Sequence, residues 1–269
     1  MSVASPATPL DGIDLVAGVV HLWAGESPAE VDAGEEAPPV LALRADALYP
    51  SPGVGRLVLA TAFARAWEAG RIEPGERTLL TRGRDLGDQG VLASLGAGLD
   101  PTWRDLIVIA LALEDREATA RLSERLGQDE IAAAASTLGL SADAVRALPV
   151  MPPQVSAREA ATAALALPAR LGSAGLALVL TALRDGRYRW RARTRLPEDW
   201  EVAASGSRRA AVVEEVALWR TARGFAAAAV AWTEVADAWM AEYALGDAFP
   251  RVVESFGPPL PLLPAVAGR

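Results

Sequence analysis

Three consecutive stretches with a period of two, Glu201 to Ser205, Ala211 to Arg220 and Gly224 to Thr233, stand near the end of the chain, separated by only a few residues. Such runs read as strands that pair in sequence order into an antiparallel sheet. Arg220-Thr-Ala-Arg223 reads as the turn between the second and third. Asp14 to Trp23 is also β-rich and stops at Ala24-Gly25. Beyond the acidic, loop-like stretch Glu26 to Glu36, Pro39 to Ala45 pairs with that first strand as a hairpin. Strands thus lie at both ends of the chain, with helical periodicity between them.

The helical block opens at Val54 to Gly70, where Leu57, Leu59, Ala60, Phe63, Ala64 and Trp67 recur at three- and four-residue spacing and Gly70 reads as a C-cap. Thr102-Trp-Arg-Asp105 has the form of a capping box and starts a helix running to about Leu113. Further helices are predicted over Ala118–Leu126, Gln128–Leu138, Ser156–Leu167 (with a second capping box, Ser156 to Glu159) and Gly175–Arg184. Thr233 is expected to cap a last helix, Glu234–Leu245, with Trp239 and Tyr243 on one face. From Gly257 the tail holds too much proline for regular structure and reads as extended on the surface. The expected class is α+β, a five-stranded antiparallel sheet flanked by helices plus an all-helical lobe. Residues 1–13 are read as a tail and 14–256 as one domain. Its sheet lobe is 14–46 and 196–256, its helical lobe 47–195, and a Pro-rich tail covers 257–269.

Composition removes whole classes of chemistry. The chain has 269 residues and no cysteine, so disulfides, thiolate metal sites and Cys nucleophiles are out. His21 is the only histidine, which leaves no Ser-His-Asp triad and no His-based metal site; on an alternating strand it reads as a packed or edge residue. All 26 basic residues are arginine, and neither lysine nor asparagine occurs. No Schiff base, lysine base or phosphate-binding loop lysine is therefore available. A net charge of −8 gives no electrostatic footprint for nucleic acid and argues against anionic membrane surfaces. No window reaches the roughly 18 apolar residues of a membrane span. The first residues lack a basic region followed by a long apolar core, so a cytoplasmic location is expected.

The order of landmarks resembles that of serine β-lactamases and penicillin-binding proteins, whose Ser-x-x-Lys, Ser-Asp-Asn and Lys-Thr-Gly motifs line one cleft. Ala47-Leu-Tyr-Pro-Ser-Pro-Gly-Val-Gly-Arg56 resembles the approach to the first motif, and Glu68 to Glu76 the helix end and turn beyond it. Thr102 to Leu122 resembles the segment holding the second, continued by Gln128 to Leu140. Leu196-Pro197 through Gly206 resembles the approach to the third. The likeness runs from about Leu15 to Leu245 and implies the β-lactamase/transpeptidase-like fold. In that alignment Gly53 stands at the position of the nucleophilic serine and Arg56 at that of its lysine. Glu114-Asp115-Arg116 takes the place of Ser-Asp-Asn, and Ala204-Ser205-Gly206 that of Lys-Thr-Gly. Val150 to Ser156 is short, with no counterpart of the loop that carries a water-activating glutamate in class A enzymes.

Ser-Lys acyl transfer needs an amine whose pKa falls far enough to take the serine proton, and arginine stays protonated. A chain without lysine has no register that restores this base. The leading expectation is a non-hydrolytic pseudoenzyme of this superfamily that binds a ligand or a partner. The alternative is a repurposed isomerase, cyclase or hydrolase with Glu114 or Asp115 as acid–base. Gly53, Arg56, Arg116, Ser205, Ser207 and Arg208 are the candidate ligand-binding residues, suited to a small anionic ligand. Against these stand simpler roles: Ser51 as a helix cap, Glu114 in a salt bridge with Arg56 or Arg116, and the Ser205–Arg209 stretch as a solvated strand end. No cofactor and no metal are expected; a homodimer or a protein partner remains open.

Overall fold

In a computed structural model of the chain, residues 18–28, 41–80, 90–95, 98–148, 150–186, 196–209 and 211–263 are described. Strand β1 (Val19–Pro28) lies between β2 (Leu41–Leu43) and β7 (Gly224–Thr233). β6 (Val212–Thr221) and β5 (Val202–Arg209) complete a five-stranded sheet of order β2-β1-β7-β6-β5, antiparallel throughout. The three late strands form the expected meander, and β1 brings the amino-terminal segment in beside the last of them. β1 runs beyond its predicted end and takes in Gly25 to Pro28, because each of these residues finds a partner on β7, while Asp14 to Ala17 of the predicted span lie outside the described residues. His21 is buried on β1, with Nε2 3.1 Å from the Thr233 hydroxyl and its ring against Tyr49.

The helical elements are α1 (Pro52–Glu68), α2 (Val91–Leu95), α3 (Trp103–Ala112), α4 (Arg116–Leu126), α5 (Gln128–Thr137), α6 (Ala157–Arg170), α7 (Ser173–Arg184) and α8 (Ala238–Glu254). Both predicted capping boxes form, Thr102 with Asp105 and Ser156 with Glu159. α1 is buried on every side from Gly53 to Ala64, as expected of an apolar helix at the centre of a core. A small sheet of β3 (Leu48–Pro50) and β4 (Gln154–Ser156), not foreseen from sequence, leads the chain into α1 and α6.

Two expectations are corrected at the carboxyl end. Thr233 ends β7 and does not cap the last helix; Glu234 follows with φ 57°, and α8 starts only after Asp237, whose Oδ1 accepts the Trp239 and Met240 N–H groups. The helix then runs through Pro250 to Glu254. The tail is not wholly on the surface, since Leu260 N–H bonds to the Arg220 carbonyl at 2.8 Å and Leu262 is buried.

The sheet divides the apolar interior. Ala203, Val216, Leu218, Ala227, Ala229 and Ala231 pack toward α1 and the other central helices. Val202, Val213, Ala217, Trp219, Val230 and Trp232 pack toward α8. Alternation along β5 and β6 therefore assigns each residue to one of two environments, and one of them contains the amino end of α1.

Candidate functional site

The site is built where α1 begins. Ser51 is extended, its N–H donates to the Pro153 carbonyl at 2.9 Å, and its hydroxyl oxygen accepts the Val54 N–H as an N-cap. Pro52 then occupies the first helical turn, where its missing N–H costs nothing. The cap role expected for Ser51 is thus what the structure holds. Gly53 and Gly55 each face a close neighbour. A Cβ on Gly55 would lie 3.1 Å from both Leu148 and Pro153, so the short Val150–Ser156 stretch and the residues before it press on the helix start. A Cβ on Gly53 would lie 2.8 Å from the Ser205 carbonyl and 2.9 Å from Oε1 of Glu214.

Glu214 is a site residue that the sequence reading passed over. It lies on β6, opposite Ser207 on β5, on the sheet face that carries Val216 and Leu218 toward α1. Its side chain is only 1% exposed. Oε1 accepts the Gly53 N–H at 2.8 Å and Oε2 accepts the Ser51 hydroxyl at 2.9 Å. Burial pushes its carboxyl above the ordinary carboxylate range. The Arg56 guanidinium, the Gly53 N–H, the Ser51 hydroxyl and the Ser207 hydroxyl beside it pull in the opposite direction. Ser207 stands opposite Glu214 on β5, its hydroxyl buried beside the carboxyl group. Tyr49, fully buried nearby, is raised well above its usual range, first by burial and then by the Glu214 and Glu159 charges. The one available signal in the sequence was Glu214-Glu215, two successive acids inside an otherwise apolar strand, one of which must face each side of the sheet.

Arg56 lies one helical turn beyond Gly53 and is buried. It donates to the Gly206 carbonyl through Nη2, the same nitrogen that stands 3.4 Å from Oε1 of Glu114, while its Nε is buried without a partner. Glu114 thus takes the salt-bridge role, and it does so from a left-handed backbone, φ 55°. Asp115 is fully buried and caps α4: Oδ1 accepts the Ala118 N–H and Oδ2 the Leu92 N–H, both at 2.9 Å. Both carboxylate oxygens are therefore spent on backbone N–H groups. Arg116, the first residue of α4, points to solvent, apart from this group.

β5 separates the remaining candidates. Ser205 and Ser207 are buried on the α1 side, and the Ser205 hydroxyl donates to the Gly53 carbonyl at 3.2 Å. They are interior groups, not part of a solvated strand end. Arg208 projects to the other face. There its guanidinium lies 3.5 Å from the centroid of the Trp239 ring and pairs with the buried Glu242 at 2.8 Å. Gly53, Arg56, Glu114, Ser205 and Ser207 are therefore brought together; Arg208 and Arg116 are not. Among the described residues, no group of three or more His, Asp or Glu side chains is gathered as a metal site, and no helix is long and apolar enough to cross a membrane.

Residues 28–248 match the model of a family described as the beta-lactamase enzyme family. No curated protein matches the chain. Among solved structures, a β-lactamase from Sphaerobacter thermophilus is similar with a TM-score of 0.75 and 22% identity, covering 93% of this chain and 95% of that one. A β-lactamase from Xanthomonas campestris gives 0.72 at 16% identity, with 90% and 92% covered. A protein described as PBP-A gives 0.72 at 18% identity, with 92% and 94% covered. At these identities the likeness to solved structures concerns the fold.

Proposed function

The chain belongs to the beta-lactamase enzyme family, and we propose that it is a non-hydrolytic member that acts by binding a ligand or a partner. The observation that supports this is the Glu214 carboxylate seated on the Gly53 N–H, in the space a side chain at residue 53 needs. The position aligned with the nucleophile has no side chain, and the volume above it is filled by the Glu214 carboxyl group, which blocks an attacking oxygen. Arg56 cannot accept a proton, and its guanidinium is engaged by Gly206 and Glu114. The test is exposure of the purified protein to a fluorescent penicillin and to a chromogenic cephalosporin beside an active class A enzyme. Neither covalent label nor turnover is expected; either one defeats the reading.

A second reading, in which the cleft performs other acid–base chemistry, now rests on Glu114, since Asp115 is committed to the α4 cap. What favours it is the left-handed backbone of Glu114, a strained conformation of the kind that collects at functional sites. Any activity found by substrate screening should then disappear in Glu114→Gln, and unchanged turnover removes Glu114 from the chemistry.

A further inference from the structure

We infer that the amino end of α1 is a carboxylate receptor whose resident ligand is the chain's own Glu214. A helix start offers N–H groups to anions, but that alone does not make a site. Here the donors come from separate elements and meet on one pair of oxygens. The Ser51 hydroxyl and the Gly53 N–H supply hydrogen bonds of 2.9 and 2.8 Å, and the Arg56 guanidinium supplies charge from the next turn. The Ser207 hydroxyl, buried on β5 directly opposite Glu214, faces the same carboxyl group. The Ser51 hydroxyl, the Gly53 N–H and the Ser207 hydroxyl are all donors aimed at the acceptor oxygens of a carboxyl group.

The bulk of the site is adjusted to the same occupant. Residue 53 has no side chain, and Glu214 reaches across from β6 to fill the gap. Shortening Glu214 to alanine removes the heavy atoms of one acetate ion and leaves the donors standing. The vacated space should therefore bind acetate, a small free carboxylate held by the same groups. In the intact chain the receptor is occupied from within, and a carboxylate on any ligand enters only by displacing Glu214. This inference concerns the site used in the reading above. Its test contains no β-lactam, so labelling by penicillin would defeat that reading and leave this one to stand or fall separately.

The test is thermal unfolding of the intact chain, of Glu214→Ala and of Glu214→Gln, each with sodium acetate or with sodium chloride at the same ionic strength. Acetate should raise the midpoint of Glu214→Ala in a saturable way, regaining about half of the loss caused by the substitution, as expected of a ligand bound only by the folded state. Chloride should not do so, and the intact chain should respond equally to both salts. Glu214→Gln keeps the volume but turns an amide toward donors, so its midpoint should fall and acetate should not restore it. A folded Glu214→Ala indifferent to acetate overturns the inference, as does an equal acetate response in the intact chain or in Glu214→Gln. If Glu214→Ala does not fold, a Glu214→Gln as stable as the intact chain overturns it on its own.

Discussion

Oε1 of Glu214 accepts the Gly53 N–H at 2.8 Å, and a Cβ on residue 53 would begin 2.9 Å from that same oxygen. The two residues, 161 positions apart, exclude each other's alternatives: a side chain at 53 leaves no room for the carboxylate where it now sits. The Ser205 carbonyl, 2.8 Å from the same Cβ position, belongs to a paired strand and cannot step aside.

Gly53→Ala should therefore cost about 1–3 kcal/mol by overpacking, although alanine is the better helix former. Urea unfolding reads the loss. On the non-hydrolytic reading, Gly53→Ser combined with Arg56→Lys should also fail to turn over a chromogenic cephalosporin, because the added side chain and the Glu214 carboxyl compete for one space. Turnover by that double variant would show that the carboxylate is no obstacle.

Glu214 also predicts a direction for stability against pH. Its folded-state pKa lies above its ordinary value of 4.5, so between the two values the native state binds more protons than the unfolded chain. Its contribution is then most favourable below 4.5 and is lost as pH rises through the folded value. Relative to Glu214→Gln, the intact chain should gain stability as pH is lowered through the folded value toward 4.5. Urea midpoints of both proteins at several pH values check this, and a constant difference between them would contradict it.

Asp115 should behave as a structural residue. Asp115→Ala leaves the Ala118 and Leu92 N–H groups without their buried acceptor, which should cost about 2–4 kcal/mol. The loss should appear in urea unfolding and, by hydrogen exchange, first in the amides of α4 and α2. A variant as stable as the intact chain would separate Asp115 from the cap.

Neighbouring residues on β5 should differ in what their removal costs. Arg208→Ala strips the Trp239 ring of its cation and Glu242 of a partner, with an expected cost of about 1–3 kcal/mol. Ser207→Ala removes one neutral hydroxyl beside the Glu214 carboxyl group and should cost no more than about 1 kcal/mol. If the order is reversed in thermal unfolding, the assignment of the two side chains to opposite faces is at fault.

Much of this architecture was legible in the residues. Period-two runs marked β5, β6 and β7, and the Thr102–Asp105 and Ser156–Glu159 boxes announced the starts of α3 and α6, because those signals are local. The start of α8 was expected too early because Thr233 is held as the last residue of β7, and the chain passes through a left-handed Glu234 before Asp237 caps the helix. Glu214 drew no attention because a carboxylate inside an apolar strand has meaning only when the element opposite it is known. The alternating arginines Arg187, Arg189, Arg191, Arg193 and Arg195 were also passed over, and they lie outside the described residues.

The absence of lysine is settled by composition, and no folding of the chain can create a lysine base from it. Element order and local capping are likewise carried by short-range patterns. What surrounds Gly53 was decided only in three dimensions. The pleat places Ser207 and Glu214 on one face of the sheet and Arg208 on the other, and the packing of α1 against that face turns a distant glutamate into the partner of a helix start. Pleat parity depends on register, and register depends on the whole sheet.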